Sequence, residues 1–106
     1  MPKYLWKASL TQAGVKGVAS EGGSARREAV KALTESVGGT LETFYFAFGK
    51  TDVVVIADVP DNEAALAVSM AVNGSGAVAM ETVPLLTPEE VDGASKRQAD
   101  YRPPGG

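Results

Sequence analysis

Asp52-Val53-Val54-Val55-Ile56-Ala57-Asp58-Val59 is the stretch on which the fold turns. Val53 to Ala57 are all apolar and mostly β-branched, the composition of a strand. A strand with one wetted face alternates apolar and polar residues, so an unbroken run marks a strand covered on both faces. Upstream, Thr40 to Phe48 is rich in aromatic and β-branched residues, and only Gly49-Lys50-Thr51 separates the two stretches. So short a link pairs them antiparallel as a hairpin. Downstream, Pro60-Asp61 breaks the strand and offers an aspartate cap to a helix that runs through Ala64 to Val72, with Asp61 and Glu63 in its positive first turn. The middle of that helix is apolar nearly all round, which calls for burial on more than one side.

Further out, Lys3 to Leu10 is β-prone and followed by Thr11 as a cap. Residues 11–19 form a weak helix, because Gly14 and Gly17 lower helix propensity and Gly22-Gly23 interrupts the run. Ser24 is placed to cap an amphipathic helix with Ala29, Val30, Leu33 and Val37 at helical spacing, ended by Gly38-Gly39. After the stop Asn73-Gly74-Ser75-Gly76, Ala77 to Val83 reads as a fourth strand that Pro84 ends. Thr87-Pro88-Glu89-Glu90-Val91 has the cap and first-turn proline of a short terminal helix. Beyond Asp92-Gly93 the chain is polar and closes on Arg102-Pro103-Pro104-Gly105-Gly106. The order β-α-β-β-α-β, with right-handed crossovers, predicts an α+β ferredoxin-like sandwich with a four-stranded antiparallel sheet over residues 1–92, and a disordered tail over 93–106. One lone two-layer domain covers only one face of its sheet, so the apolar run predicts a second copy on the other face.

Composition narrows the chemistry. The chain has 106 residues, 44% hydrophobic, with a net charge of −3 and neither cysteine nor histidine. That excludes disulfides, thiolate catalysis, cysteine zinc sites and the usual acid–base group near neutral pH. No basic block exists to hold phosphates, so neither nucleic acid nor an anionic membrane surface is expected as a partner. With no membrane-spanning stretch and no signal-peptide pattern at the start, the expected compartment is cytoplasmic. The scattered acidic residues lack ligand spacing, and the expected metal and cofactor complement is none.

With that layout the chain resembles the GYD domain family, small bacterial and archaeal proteins of the dimeric α/β-barrel superfamily. The resemblance runs from about Tyr4 to Glu90. It is carried by Gly38-Gly39-Thr40-Leu41 leading into Phe44-Tyr45, by Gly49-Lys50-Thr51-Asp52-Val53-Val54-Val55-Ile56, by Pro60-Asp61 opening a helix, and by Gly74-Ser75-Gly76 followed by Val78 and Glu81-Thr82. Relatives usually carry an aromatic residue, commonly tyrosine, just before the strand-three aspartate, where this chain has Thr51. The resemblance implies a homodimer built by two sheets facing each other, sometimes assembled further, and no general reaction. Superfamily relatives include cofactor-free oxygenases, isomerases, haem-handling enzymes and effector-binding modules, so the fold alone leaves the function open.

Several residues are candidates for chemistry. Glu81 interrupts an apolar strand, and a carboxylate held in low dielectric suits proton transfer, although at a sheet edge it simply pairs with a lysine or a backbone donor. Asp52 sits at the hairpin mouth, where aspartate also serves as an acceptor for turn hydrogen bonds. Tyr4, Trp6 and Tyr45 each offer an apolar body with a polar tip that can orient a ligand, or can pack in a core or a dimer interface. Arg26 shares a helical stripe with Val30 and Leu33, from which its guanidinium can reach an anionic ligand in a cleft or rest in solvent. Lys7 or Lys50 would serve as a Schiff-base amine only if desolvated. Gly74-Ser75-Gly76 precedes a strand rather than a helix, without the mechanics of a phosphate loop, and the aromatics of Phe44 to Phe48 lack the basic signature of an RNA-binding sheet. The leading expectation is a homodimer of this domain type that binds a small organic ligand in a pocket beside the sheet. Two alternatives are a cofactor-independent isomerase or oxygenase with Glu81 as general base, and an amino-acid-sensing regulatory module contacted at Val37-Gly38-Gly39.

Overall fold

In the computed structural model, which describes residues 1–106, the chain runs β1 (Lys3–Leu10), α1 (Gln12–Glu21), α2 (Gly23–Ser36), β2 (Thr40–Phe46), β3 (Val53–Asp58), α3 (Asn62–Gly74), β4 (Val78–Pro84) and α4 (Pro88–Ser95). The strands form one sheet in the order β2-β3-β1-β4 with every neighbouring pair antiparallel, the α+β ferredoxin-like topology that the element order predicts.

Local chemistry sets the element ends. The Thr11 side chain accepts from Gly14 N at 3.2 Å and donates to Gly76 O at 2.9 Å, so the cap of α1 also pins that helix to the turn before β4. Asp61 accepts from Ala64 N at 2.9 Å to start α3, and Thr87 with Glu90 forms a reciprocal capping box at α4. The expected cap at Ser24 is corrected: Gly22, at φ 88°, separates α1 from α2 and is itself the N-cap, and Ser24 lies inside the helix. A positive φ turns the chain there without needing a side-chain cap, and glycine adopts it at no steric cost. β2 ends two residues earlier than its composition suggests, because after Ala47 N donates to Asp52 O at 2.8 Å the chain turns through Gly49. α4 continues to Ser95, three residues past the expected boundary at Asp92, and buries none of its residues.

The register assigns each residue to a face. Phe44, Val55, Trp6 and Thr82 are successive partners across the sheet and share the face that meets the helices. Tyr4, Trp6, Ala8, Val53, Val55 and Ala57 on that face join Val59 and, from α3, Ala65 and Val68 to make the core. The next row, Tyr45, Val54, Lys7 and Glu81, belongs to the opposite face, as do Leu5, Ile56 and Val83. No residue of that face is fully buried; Leu5, Val54, Ile56 and Val83 are half-buried. Its far end is charged. Lys3 donates to Asp58 at 2.9 Å and lies 3.4 Å from Glu42, and the hydrogen bond to Asp58 is the main cause that holds the Lys3 ammonium above its ordinary 10.5. A raised lysine value means that this pairing contributes through neutral and mildly alkaline pH and is lost only as pH climbs past 10.5 toward the elevated value.

Candidate functional site

α2 and α3 cover the helix-facing side of the sheet without closing over it. Small side chains, Ala29 on α2 and Ala71 on α3, stand where the two helices flank the sheet, and between them is a cavity of about 430 Å³. That volume falls in the range, roughly 300–1,000 Å³, of small-molecule sites. Fifteen of its seventeen lining residues are hydrophobic; the other two are Arg26 and Ser75. The sheet supplies the floor, with Trp6 and Phe44 among its residues, and Leu33 and Val72 stand on the helical walls. The nearly all-round apolar character of α3 follows from this arrangement: Ala65 and Val68 enter the core, while Ala71 and Val72 continue the apolar surface into the cavity.

Two residues of this lining, Trp6 and Arg26, carry donors that the protein leaves unpaired, and of these only the Arg26 guanidinium is accessible. Trp6 is 1% exposed, and its indole Nε1–H has no acceptor. A buried donor left unpaired costs about 1–3 kcal/mol. Thr82, directly opposite Trp6 across the β1–β4 ladder, also has a buried side-chain oxygen without a partner, so neither residue satisfies the other. Arg26 stands half exposed at the rim, with only Glu21 nearby at 3.7 Å, a loose surface pair of small energetic consequence. Most of its five guanidinium donors are free for a ligand.

Of the residues singled out in the sequence, the cavity brings together Trp6 and Arg26. Tyr4 shares the helix-facing side but lies outside the lining, its hydroxyl donating to Asn62 Oδ1 at the start of α3. Tyr45 and Glu81 stand on the opposite face, both exposed, with the sheet between them and the cavity. Glu81 faces Lys7 across the β1–β4 ladder, and the two share a shallow polar hollow with Lys50 and Ser9. Asp52 acts as a clamp: its carboxylate accepts from Leu10 N at 2.8 Å and its own N–H donates to Ala8 O at 2.8 Å, tying the hairpin to β1. Phe44, Leu33, Val68, Val72 and Met80 also line the cavity and were not legible as site residues. The sequence signals that bear on them are the nearly all-round apolar character of α3, for Val68 and Val72, and the stripe that Leu33 shares with Arg26 on α2.

The chain brings no three acidic, histidine or cysteine side chains together as metal ligands, and no helix is long and apolar enough to cross a membrane. No curated protein and no solved structure matches the sequence. A family model, the GYD domain, matches residues 4–94, a span that contains β2, β3, β4 and the helices α1 to α3 whole, together with nearly all of β1 and α4. On that match the chain belongs to the GYD domain family.

Proposed function

We propose that this GYD domain is a homodimer whose chains each bind a small organic molecule in the cavity between α2, α3 and the sheet. The observation that carries the binding role is the 430 Å³ space with its apolar lining, open beside a half-exposed arginine. Apolar surface of this extent gains free energy when a ligand replaces water, at roughly 25 cal/mol per Å². No carboxylate lines the cavity, so binding is the role its geometry supports better than proton abstraction by Glu81.

Thermal denaturation with a panel of bicyclic aromatic compounds and, separately, free amino acids tests the role. Aromatic compounds are expected to raise the midpoint by several degrees at saturating concentration, since a ligand at a hundred times its dissociation constant adds about 2.7 kcal/mol. Ala71→Phe, which fills the cavity from α3, is expected to abolish that rise. Equal stabilisation of the filled variant, or a response to amino acids alone, would contradict ligand binding in this space.

The dimer is supported by the other face. Leu5, Val54, Ile56 and Val83 lie on adjacent positions of β1, β3 and β4, half-buried and without a layer of helices above them. A contiguous apolar patch left partly accessible in this way supports an interaction site. Ile56→Lys places a charge in the middle of the patch, and a two-fold interface meets it twice. The variant is expected to run as a single chain in size-exclusion chromatography with light scattering while keeping its circular dichroism spectrum, because Ile56 lies outside the core. A variant that keeps the mass of the unmodified protein would place its assembly, if any, elsewhere.

A further inference from the structure

We propose that the arm after Leu85, with α4 at its centre, docks on the open sheet face of a second copy of the chain, its acidic residues beside Lys7 and Lys50 of that copy. The proposal rests on the homodimer read above and gives the arm a place in it. α4 is a complete helix with a capping box and a proline in its first turn, yet it has only eight residues. Isolated helices shorter than about 12–15 residues are marginal in water, so α4 needs support from outside itself. Its own chain supplies little: α4 buries none of its residues, packs extensively on no other element, and leaves Val91 exposed, as are Leu86 and Tyr101 on either side. The molecule is 55 Å long, and its radius of gyration is 16.8 Å where a compact chain of this length has about 13 Å. Its accessible surface is 7255 Å², against roughly 5,600 Å² for a compact protein of this mass. The excess, about 1,700 Å², is larger than the roughly 800 Å² that each partner contributes to a stable interface.

Charge selects where the arm lies. From Leu86 to Ser95 it carries Glu89, Glu90 and Asp92 and no basic residue. At the Pro84 end of the open face the cation is already spent, because Lys3 is held by Asp58 and Glu42. Lys7 and Lys50, in the polar hollow toward the other end of β1, are in no ion pair and stand against a single acid, Glu81. Facing sheets pack with their strands nearly aligned, so a two-fold axis sets the strands of one copy either along or against those of the other. The first setting brings the arm, which leaves the sheet at Pro84, to the end of the partner sheet that holds Glu42 and Asp58, acid against acid. The second lays β4 over β4 in reverse and brings the arm above the hollow with Lys7 and Lys50.

A charge swap in the full chain tests the contact. One variant carries Lys7→Glu with Lys50→Glu, the other Glu89→Lys with Asp92→Lys, and circular dichroism establishes that both are folded. Sedimentation equilibrium is expected to show each variant alone dissociating about tenfold more readily than the unmodified chain, since like charges then face each other at both arms. An equimolar mixture is expected to recover the unmodified affinity, because both arm contacts of the mixed dimer join opposite charges. Val91→Asp is expected to weaken the dimer about tenfold, whereas Val15→Asp, at a similarly exposed position on α1, leaves it unchanged. A mixture that associates no more tightly than its components, or a Val91→Asp dimer as tight as the unmodified one, overturns the docking of the arm on the partner and leaves the dimer standing; an arm resting on its own chain gives that result. If the unmodified chain is a single chain at micromolar concentration, the homodimer reading itself falls and takes the arm contact with it.

Discussion

Gly14→Ala is expected to destabilise the protein by roughly 3–5 kcal/mol, whereas Gly17→Ala in the same helix is expected to stabilise it by up to about 1 kcal/mol. A β-carbon on Gly14 would stand 2.1 Å from the carbonyl oxygen of Ala77, and one on Gly17 would meet nothing within 4 Å. The obstructing atom is backbone and has little freedom to give way. Ala77 O accepts from Thr11 N at 3.0 Å, and the Thr11 hydroxyl donates to Gly76 O, so moving α1 outward separates the helix start from the turn that leads into β4. The cost adds steric displacement to the loss of those hydrogen bonds. Gly17 has no such constraint, and alanine there removes the backbone entropy penalty of a helical glycine. Urea denaturation followed by circular dichroism distinguishes the two: opposite shifts of the midpoint are expected. A Gly14→Ala protein as stable as the unmodified chain would show that α1 is not docked on the start of β4.

Trp6→Ala is expected to cost a further 3–5 kcal/mol by a different route, loss of packing rather than steric overlap. Trp6 is 1% exposed and sits in the row Phe44, Val55, Trp6, Thr82 across the middle of the sheet. It also forms part of the cavity floor, so the volume it vacates joins a space that is already open. The cost within that range depends on how far the surrounding side chains relax into the vacated volume. Phe48→Ala, at an exposed residue beyond the end of β2, is the control and is expected to change stability by less than about 0.5 kcal/mol. Circular dichroism is the appropriate readout because Trp6 is the only tryptophan. Equal stabilities for the two variants would mean that the sheet face bearing Trp6 is not the core.

The layer structure was legible because it rests on local signals. The run Val53 to Ala57 marked β3, Asp61 and Thr87 announced their helices, and the short link at Gly49 forced the hairpin. Alternation along β1 grouped Tyr4 with Trp6 and Leu5 with Lys7 but carried no sign of which pair meets the helices. That choice is made by long-range partners: Ala65 and Val68 on α3, more than fifty positions away, pack against the Tyr4 and Trp6 side. Ser24 misled because a serine before an apolar periodic segment is the usual cap, whereas here the positive φ of Gly22 does the turning. The site was legible only in part for the same reason. Arg26 and Trp6 stood out by chemical type, and both line the cavity. The cavity as a space was not legible, because it consists of what two helices from different halves of the chain leave uncovered. Tyr45 and Glu81 are equally conspicuous in type, yet the register pairs them with Val54 and Lys7 on the opposite face. Register is a property of the assembled sheet, and a shift by one residue would exchange the faces.

Sedimentation equilibrium of the unmodified chain at micromolar concentrations puts the two-faced sheet to its most direct test. With a second copy covering Leu5, Val54, Ile56 and Val83, the fitted mass is expected to be about twice the 10.9 kDa of one chain. A mass of 10.9 kDa throughout that range would leave the apolar face in water and contradict the paired arrangement.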